Sequence, residues 1–222
     1  ASTMTAALYF PIYYSQESRP YLILFLMSIL TTYFWIKLLR QKLSENKINP
    51  RDMVFYMILA VITIYQHYFG TFFIFLQGIA ALIALIANRK SLTGFFIIYV
   101  IILLSFIPWI KGFISDLEIT DNYIRTPGWE FAPFYFGVIF NRSMLVLAPV
   151  AVLYLYFFYN FFKNNKNDTY TAFKGLSSDL FIILWLSAPF AILYIKSLLS
   201  APVLTYRNLM ILLPAAYLIP AR

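Results

Sequence analysis

The chain alternates between long runs of apolar residues and short clusters of polar and charged residues. A helix needs about 20 apolar residues to cross a bilayer, and backbone groups in lipid must bond to one another, which favours helices. The pattern predicts six spans, at residues 21–39, 53–69, 71–87, 93–110, 144–162 and 180–199. An apolar stretch at 1–13 precedes them and a shorter span at 208–220 follows them, while Asn49-Pro50 is typical of a helix start.

This pattern predicts an all-α fold, namely a polytopic transmembrane helical bundle with about six to seven spans. The composition agrees, because 62% of the residues are hydrophobic and 12% are charged, whereas about a quarter of the residues of a soluble domain are charged. Residues 1–222 are one transmembrane domain in this interpretation, with 111–141 as an extracytoplasmic loop. Because the chain begins in an apolar stretch without Met, we expect it to be the C-terminal portion of a longer bundle.

The lysines and arginines predict an orientation for the bundle. Eleven of the 17 basic residues fall on one side of the predicted spans and six on the other, so the first side is cytoplasmic by the positive-inside rule. The net charge of +8 therefore indicates membrane topology rather than nucleic-acid binding. Four polar features, around residues 14–21, 65–70, 111–141 and 201–207, fall on the extracytoplasmic side and could form a single site.

The first polar feature is the segment Tyr14-Ser15-Gln16-Glu17-Ser18-Arg19-Pro20-Tyr21. Arg19 could clamp a phosphate, since a guanidinium offers a planar fork of donors, and Glu17 could orient Arg19 or hold an acceptor hydroxyl. The alternative is a plain helix entry, in which Glu17 complements the helix dipole and Arg19 reaches the lipid headgroups. The spacing alone favours neither interpretation.

The second feature, Tyr65-Gln66-His67-Tyr68-Phe69-Gly70, contains the only histidine of the chain. His67 could carry a proton or donate a hydrogen bond to a phosphate, but a histidine flanked by aromatic residues at a membrane interface more often belongs to the aromatic belt. We interpret Gly70 as the residue that gives a tight turn its backbone freedom. With one histidine and no cysteine, a zinc site built on imidazole and thiolate is not expected.

Two further features lie later in the chain. The loop at 111–141 is longer than a simple connection needs and contains four acidic residues, so it either covers or binds something or is a solvated loop. The segment Thr205-Tyr206-Arg207-Asn208 puts a cation at a helix start, where an anion such as a lipid phosphate would offset the unfavourable dipole. Asn141-Arg142-Ser143 matches a glycosylation sequon, but it lies at a membrane edge and we assign it no function.

Three segments of the chain resemble motifs of one family of membrane enzymes. These segments are PIYYSQESRPY at 11–21, YQHYFG at 65–70, and RNLM followed by LPA at 207–215. In order and approximate spacing they are similar to motifs of bacterial and archaeal glycosyltransferase family 39-like enzymes. This family is mannosyltransferase-like and is related to the lipid A aminoarabinose transferases.

The resemblance implies a GT-C architecture, with an active site on the extracytoplasmic face of a helical bundle in a prokaryotic plasma membrane. Such enzymes move a sugar from a polyprenyl-phosphate carrier to a hydroxyl group of a glycan, a lipid or a protein, and no nucleic acid takes part. Arg19 and Arg207 would pair with the carrier phosphate. The substrate-binding residues that the resemblance implies are Tyr14, Gln16, Glu17, Arg19, His67, Tyr68 and Arg207.

The resemblance also implies that the catalytic carboxylate lies outside this chain. The family's catalytic Asp or Glu is in the first extracytoplasmic loop, upstream of the residues of this chain, so the catalytic residue is unknown. Some members of the family could use a divalent metal, but no set of ligands in this chain demands one. The resemblance implies no other cofactor.

Two other functions fit the same sequence. A lipid-linked-sugar flippase or another transporter component would share the bundle and its polar outer face. Transporters tend to place ionisable groups near the membrane midplane, where this chain has almost none. A non-catalytic scaffold, acting as a membrane subunit of a larger complex, is the second alternative to the transferase.

Overall fold

The computed structural model describes residues 1–16, 21–118, 125–164, 178–199 and 202–221. Every regular element among these residues is a helix, so the predicted all-α fold is confirmed for this part of the chain. The α-helices are α1 (Ser2–Ala7), α2 (Tyr9–Ser15), α3 (Tyr21–Glu45), α4 (Pro50–Gln66), α5 (Tyr68–Ala87), α6 (Thr93–Phe106), α7 (Ile110–Glu118), α8 (Phe131–Ile139), α9 (Met144–Asn164), α10 (Ser178–Leu199) and α11 (Leu213–Leu218). Short 3₁₀ helices lie at Ile107–Trp109, Asn208–Leu212 and Ile219–Ala221.

Five helices in the described ranges are long and apolar enough to cross a membrane, as expected for a membrane-embedded protein. They are Tyr21–Glu45, Tyr68–Ala87, Thr93–Ser115, Met144–Lys163 and Asp179–Leu199, and they coincide with five of the predicted spans. The remaining one of the six, at 53–69, corresponds to α4. The 17 residues of α4 extend about 25 Å at 1.5 Å per residue, which is shorter than the ~30 Å hydrocarbon core.

Local sequence signals explain where α4 begins. Asn49 precedes the helix, and its side-chain oxygen accepts the backbone N–H of Arg51 at 2.9 Å. Pro50 occupies the first turn, where its missing N–H is not needed. The helix start predicted at Asn49-Pro50 is therefore confirmed.

The loop predicted at 111–141 contains more helix than its polar residues suggested. Helix α7 covers its first part, and α8, from Phe131 to Ile139, covers much of its last part. Tyr135 and Ile139 of α8 are buried, so this part of the loop packs as core rather than as a solvated connection.

The chain divides into two compact units. The first unit comprises Ala1–Phe25, Thr120–Asp168 and Ile182–Arg222, and the second comprises Leu26–Ile119 and Thr169–Phe181. Each unit has its own buried side chains and its own hydrogen bonds.

The second unit contains a hydrogen-bonded chain of polar side chains that connects four helices. The Gln77 amide of α5 donates to the Thr32 hydroxyl of α3 at 3.1 Å and accepts the Tyr56 hydroxyl of α4 at 3.0 Å. The Tyr56 oxygen also lies 2.8 Å from the Tyr99 hydroxyl of α6. Bonds of this kind between membrane helices contribute about 0.6–2 kcal/mol each, so Gln77 helps to fix the register of all four helices.

A charged cluster in the same unit joins α3 to the start of α4. Lys37 Nζ lies 2.7 Å from Asp52 Oδ1, and Gln41 Nε2 donates to Asp52 Oδ2 at 2.7 Å. Asp52 is only 6% exposed, and the hydrogen bond from Lys37 holds the pKa of its carboxyl below the usual value. Both carboxylate oxygens therefore have donors, as a buried charge requires.

The segment Asn208–Ala221 forms the core of the first unit. The sequence predicts a shortened span here, but the structure has α11 between two 3₁₀ helices. Residues 209–213 and 215–217 have no exposed surface at all. The side chains of this segment are therefore covered by protein.

Aromatic side chains supply hydrogen bonds to the backbone of this enclosed segment. The Tyr135 hydroxyl donates to the Leu209 carbonyl at 2.9 Å, and the indole N–H of Trp185 donates to the Ile211 carbonyl at 2.9 Å. The Tyr154 hydroxyl donates to the Ala216 carbonyl at 2.8 Å. Since these rings belong to α8, α10 and α9, the segment orders three helices around itself.

Gly70 has a different role from the one the sequence suggested. It lies inside α5 rather than in a turn, and its lack of a side chain allows α5 to approach α4 closely. A Cβ atom at this position would collide with the backbone carbonyl of Thr63. The interpretation of Gly70 as a source of turn flexibility is therefore wrong, because the requirement is close packing.

We expect Gly70→Ala to destabilise the protein by about 1–3 kcal/mol, because backbone atoms of α4 must move to admit the methyl group. Gly137→Ala is the matched control, since its Cβ would have only an ordinary contact, 3.9 Å from Arg142. The measurement is the midpoint of thermal unfolding of each variant in the same detergent. Equal midpoints for the two alanine variants would contradict the close packing at Gly70.

Candidate functional site

Helix α8 presents one aromatic face to Tyr206. Phe131, Phe134 and Tyr135 are spaced at i, i+3 and i+4, which places them on the same side of a helix. The Tyr206 ring stacks on Phe131 with 5.0 Å between centroids and lies 5.7 Å from Phe134 and 6.2 Å from Tyr135. We call Phe131, Phe134, Tyr135 and Tyr206 the aromatic cluster; it joins the predicted loop to the segment before Arg207.

Hydrogen bonds fix the backbone on both sides of Tyr206. The Ser197 hydroxyl accepts the N–H groups of Val203 and Leu204 at 3.0 Å each. The Asn208 side-chain amide donates to the Val203 carbonyl at 2.6 Å. The turn that carries Tyr206 and Arg207 is therefore held in place without help from a ligand.

Helix α2 reaches the aromatic cluster through Phe10. The Phe10 ring lies 4.7 Å from Tyr14 and 6.5 Å from Tyr135, edge to face in both cases. Tyr14 is half-buried beside Phe10, and Gln16 at the end of α2 is exposed. Glu17 and Arg19, the charged residues predicted for this site, lie outside the described residues.

Arg207 follows the aromatic cluster directly in sequence. It is partly exposed, and its carbonyl accepts the N–H of Met210 at 3.1 Å, which begins the 3₁₀ helix. Within the described ranges, no carboxylate lies within 4 Å of its guanidinium. An anion beside this cation would also offset its unfavourable position at a helix start.

His67 lies between α4 and α5 in the second unit and caps the start of α5. Its Nδ1 atom accepts the backbone N–H of Phe69 at 3.3 Å, and its ring stacks on the Phe69 ring at 4.7 Å. The Tyr68 ring lies 4.1 Å away. Burial lowers the pKa of the imidazole to about 4, so at neutral pH the ring is uncharged and its proton is on Nε2.

A cavity of about 440 Å³ lies along α5 and α6 in the second unit. Its lining runs from Thr71 to Leu85 on α5 and from Phe95 to Phe106 on α6, and the lining side chains are almost all apolar. The α5 part extends about 21 Å at 1.5 Å per residue.

The first unit brings together parts of three of the four predicted polar features. These are α2 with Tyr14, helix α8 of the loop, and the turn with Arg207, whereas His67 and Tyr68 belong to the second unit. Within the described residues, no three His, Cys, Asp or Glu side chains are gathered in a way that could hold a metal ion. No protein-family model, curated protein or solved structure matches the chain.

Sequence reasoning missed the aromatic face of α8 and the position of Arg142. The guanidinium carbon of Arg142 lies 4.1 Å from the centroid of the Phe134 ring. The i, i+3, i+4 aromatic spacing in α8 was visible in the sequence, but it lay in a segment interpreted as a polar loop. Arg142 was visible only as the middle residue of a sequon.

We expect the His67 imidazole to titrate near pH 4, because burial disfavours its charged form. The contribution of His67 to the free energy of unfolding should therefore be fully present above pH 6.5 and should decrease as the pH falls towards 4. His67 is the only histidine, so NMR of histidine-labelled protein in micelles gives a single titration curve. Trp129→His, at a position that is 83% exposed, provides a reference that should titrate near 6.5. Two coincident curves in that variant would contradict the burial of His67.

Proposed function

We propose that this chain is part of a membrane glycosyltransferase. The enzyme would move a sugar from a polyprenyl-phosphate-linked donor to an acceptor hydroxyl on the extracytoplasmic face of a prokaryotic plasma membrane. The observation that carries the proposal is the contact series Tyr14–Phe10–Tyr135–Tyr206. It leads from the segment at 11–21, which resembles family 39-like glycosyltransferases, to Tyr206, which directly precedes the resembling segment at 207–215.

Arg207 supplies the chemistry that this transfer needs most. When the bond between the sugar and the carrier phosphate breaks, negative charge develops on the phosphate oxygens. A guanidinium fixed next to those oxygens stabilises the transition state more than the ground state. Its planar fork can bond two phosphate oxygens at once, and the hydrogen bonds around Asn208 hold its backbone in place beforehand.

The second unit, taken by itself, has a surface that suits an apolar ligand. The apolar cavity along α5 and α6 has the length and lining for a segment of an isoprenoid chain. His67 is uncharged at neutral pH, so it would not act as a cation towards an anionic ligand. The proton of the acceptor hydroxyl would pass to the Asp or Glu that the resemblance implies upstream, so tests of activity require the intact gene product.

We expect Arg207→Ala to lower the rate of sugar transfer by roughly 10²-fold, the usual cost of removing one group that stabilises developing negative charge. Arg207→Lys should retain an intermediate rate, because it keeps the charge and loses the fork. The measurement is transfer in membranes, using the intact gene product and a labelled polyprenyl-phosphate sugar.

Arg40→Ala is the control for that experiment, since Arg40 is exposed on α3 and its side chain makes no contact described above. It should transfer sugar at the rate of the unaltered protein. Full activity of Arg207→Ala with an unchanged unfolding midpoint would refute the phosphate role. Absence of transfer by the unaltered protein with any common carrier would instead favour the flippase or the scaffold.

A further inference from the structure

Helix α8 ends in a turn that gives Arg142 an unusual backbone conformation. The N–H of Asn141 donates to the Val138 carbonyl at 3.2 Å, and the N–H of Arg142 donates to the Gly137 carbonyl at 2.7 Å. This is the Schellman pattern of a helix C-terminus. Both residues have positive φ, 65° at Asn141 and 52° at Arg142, which Asn tolerates better than Arg.

A contact from α2 reinforces this turn. The Asn141 side-chain oxygen accepts the backbone N–H of Tyr9 at 2.8 Å, at the start of α2. The side chain that a sugar would occupy in a glycosylated sequon therefore already has a structural partner. The turn is held by two backbone hydrogen bonds and one side-chain hydrogen bond, and together these keep Arg142 in its left-handed conformation.

The turn folds the Arg142 side chain back over α8. Its guanidinium carbon lies 4.1 Å from the centroid of the Phe134 ring. Arg142 is exposed, and no carboxylate of the residues that the structure describes lies within 4 Å of its guanidinium. A guanidinium on a ring face is attracted by the ring quadrupole and keeps its N–H edges directed outwards, where they can bind an anion.

Further aromatic surface lies near this cation. Phe134 is 45% exposed, and Phe131 and Tyr206 are partly exposed beside it. Burial raises the pKa of the Tyr206 hydroxyl, and the positive charge of Arg142 opposes that change, so the two groups are close. We call Arg142, Phe131, Phe134 and Tyr206 the Arg142 platform.

We propose that the Arg142 platform binds an anionic sugar, a saccharide ring that carries a phosphate or a carboxylate group. The C–H groups of a saccharide ring pack on aromatic faces, which are electron-rich. The anionic substituent would accept the paired N–H groups of Arg142. The assignment of this sugar as the acceptor rests on the proposed transferase function, whereas its binding does not depend on turnover.

The combination of groups distinguishes this ligand from a lipid headgroup. A headgroup phosphate needs only a cation at the membrane surface, and an isolated arginine side chain would satisfy it. The platform adds two rings, Phe131 and Tyr206, that stack on each other. Hydrogen bonds made by the side chains of Ser197 and Asn208 fix the turn that carries Tyr206. Among the described residues, a rigid aromatic face lies next to a cation that has no carboxylate partner, and this matches a saccharide ring with an anionic substituent.

The test is equilibrium binding to the purified full-length protein in phosphatidylcholine nanodiscs, measured by calorimetry. The probes are mannose 6-phosphate, mannose and inorganic phosphate. We expect mannose 6-phosphate to bind at least tenfold more tightly than either of the others, because it alone uses both the rings and the cation. Arg142→Gln should weaken its binding at least tenfold and leave the binding of mannose unchanged.

Two matched variants complete the design. Arg125→Gln removes another exposed arginine predicted on the same side of the membrane and should leave all affinities unchanged. Phe134→Leu keeps an apolar side chain but removes the ring, and it should weaken mannose 6-phosphate and mannose alike. The unfolding midpoint of each variant shows that lost binding is not lost folding.

Three results would overturn the proposal. In the first, Arg142→Gln folds normally and binds mannose 6-phosphate as tightly as the unaltered protein. In the second, inorganic phosphate binds as tightly as mannose 6-phosphate. In the third, phosphatidylglycerol nanodiscs abolish the Arg142-dependent binding, which would assign Arg142 to lipid headgroups. Sugar-phosphate binding without any sugar transfer would refute the transferase and leave the anionic-sugar site standing.

Discussion

The arrangement of helices in the first unit depends on hydrogen bonds to buried backbone carbonyls. Residues Asn208–Leu212 are 3₁₀-helical and buried, and in such surroundings an unpaired carbonyl costs several kcal/mol. The phenol of Tyr135 and the indole of Trp185 provide donors from two different helices, α8 and α10. Because these rings fix α8 and α10 to the segment, the turn that precedes the segment holds Tyr206 against α8, and Arg207 follows directly in sequence. The candidate site therefore depends on hydrogen bonds made outside it.

The long helices were predictable because their information is local. Each apolar run of 17 to 20 residues appears as a helix, and Asn49-Pro50 marks the start of α4 as expected. The C-terminal segment could not be interpreted in this way, since its apolar composition is also that of a membrane span. Its structure depends on donors such as Tyr135, 74 residues from the carbonyl of Leu209, which no local pattern encodes. Gly70 shows the same limit, because the backbone that requires it belongs to another helix.

Polar residues that interrupt apolar sequence were the local signal for a candidate site. Tyr14 and Arg207 were identified in this way, and their segments are connected through the aromatic cluster. Arg142 was not identified, because its importance comes from a backbone turn and from the ring of Phe134, eight residues earlier. An arginine at a membrane edge has the same sequence signature whether it meets lipid, solvent or a ligand. Only the geometry of its neighbours separates these cases.

If α8 and the turn with Tyr206 form one site, cysteines placed on the two elements can be cross-linked. The chain has no cysteine, so Phe134→Cys combined with Tyr206→Cys reports on this contact alone. The two rings lie 5.7 Å apart, and a short bis-maleimide should join the pair in membranes, so that fragments cleaved between the two positions remain linked. Neither single-cysteine variant should give linked fragments. A double variant that folds with an unchanged unfolding midpoint and yields no link would show that α8 and this turn are not in contact.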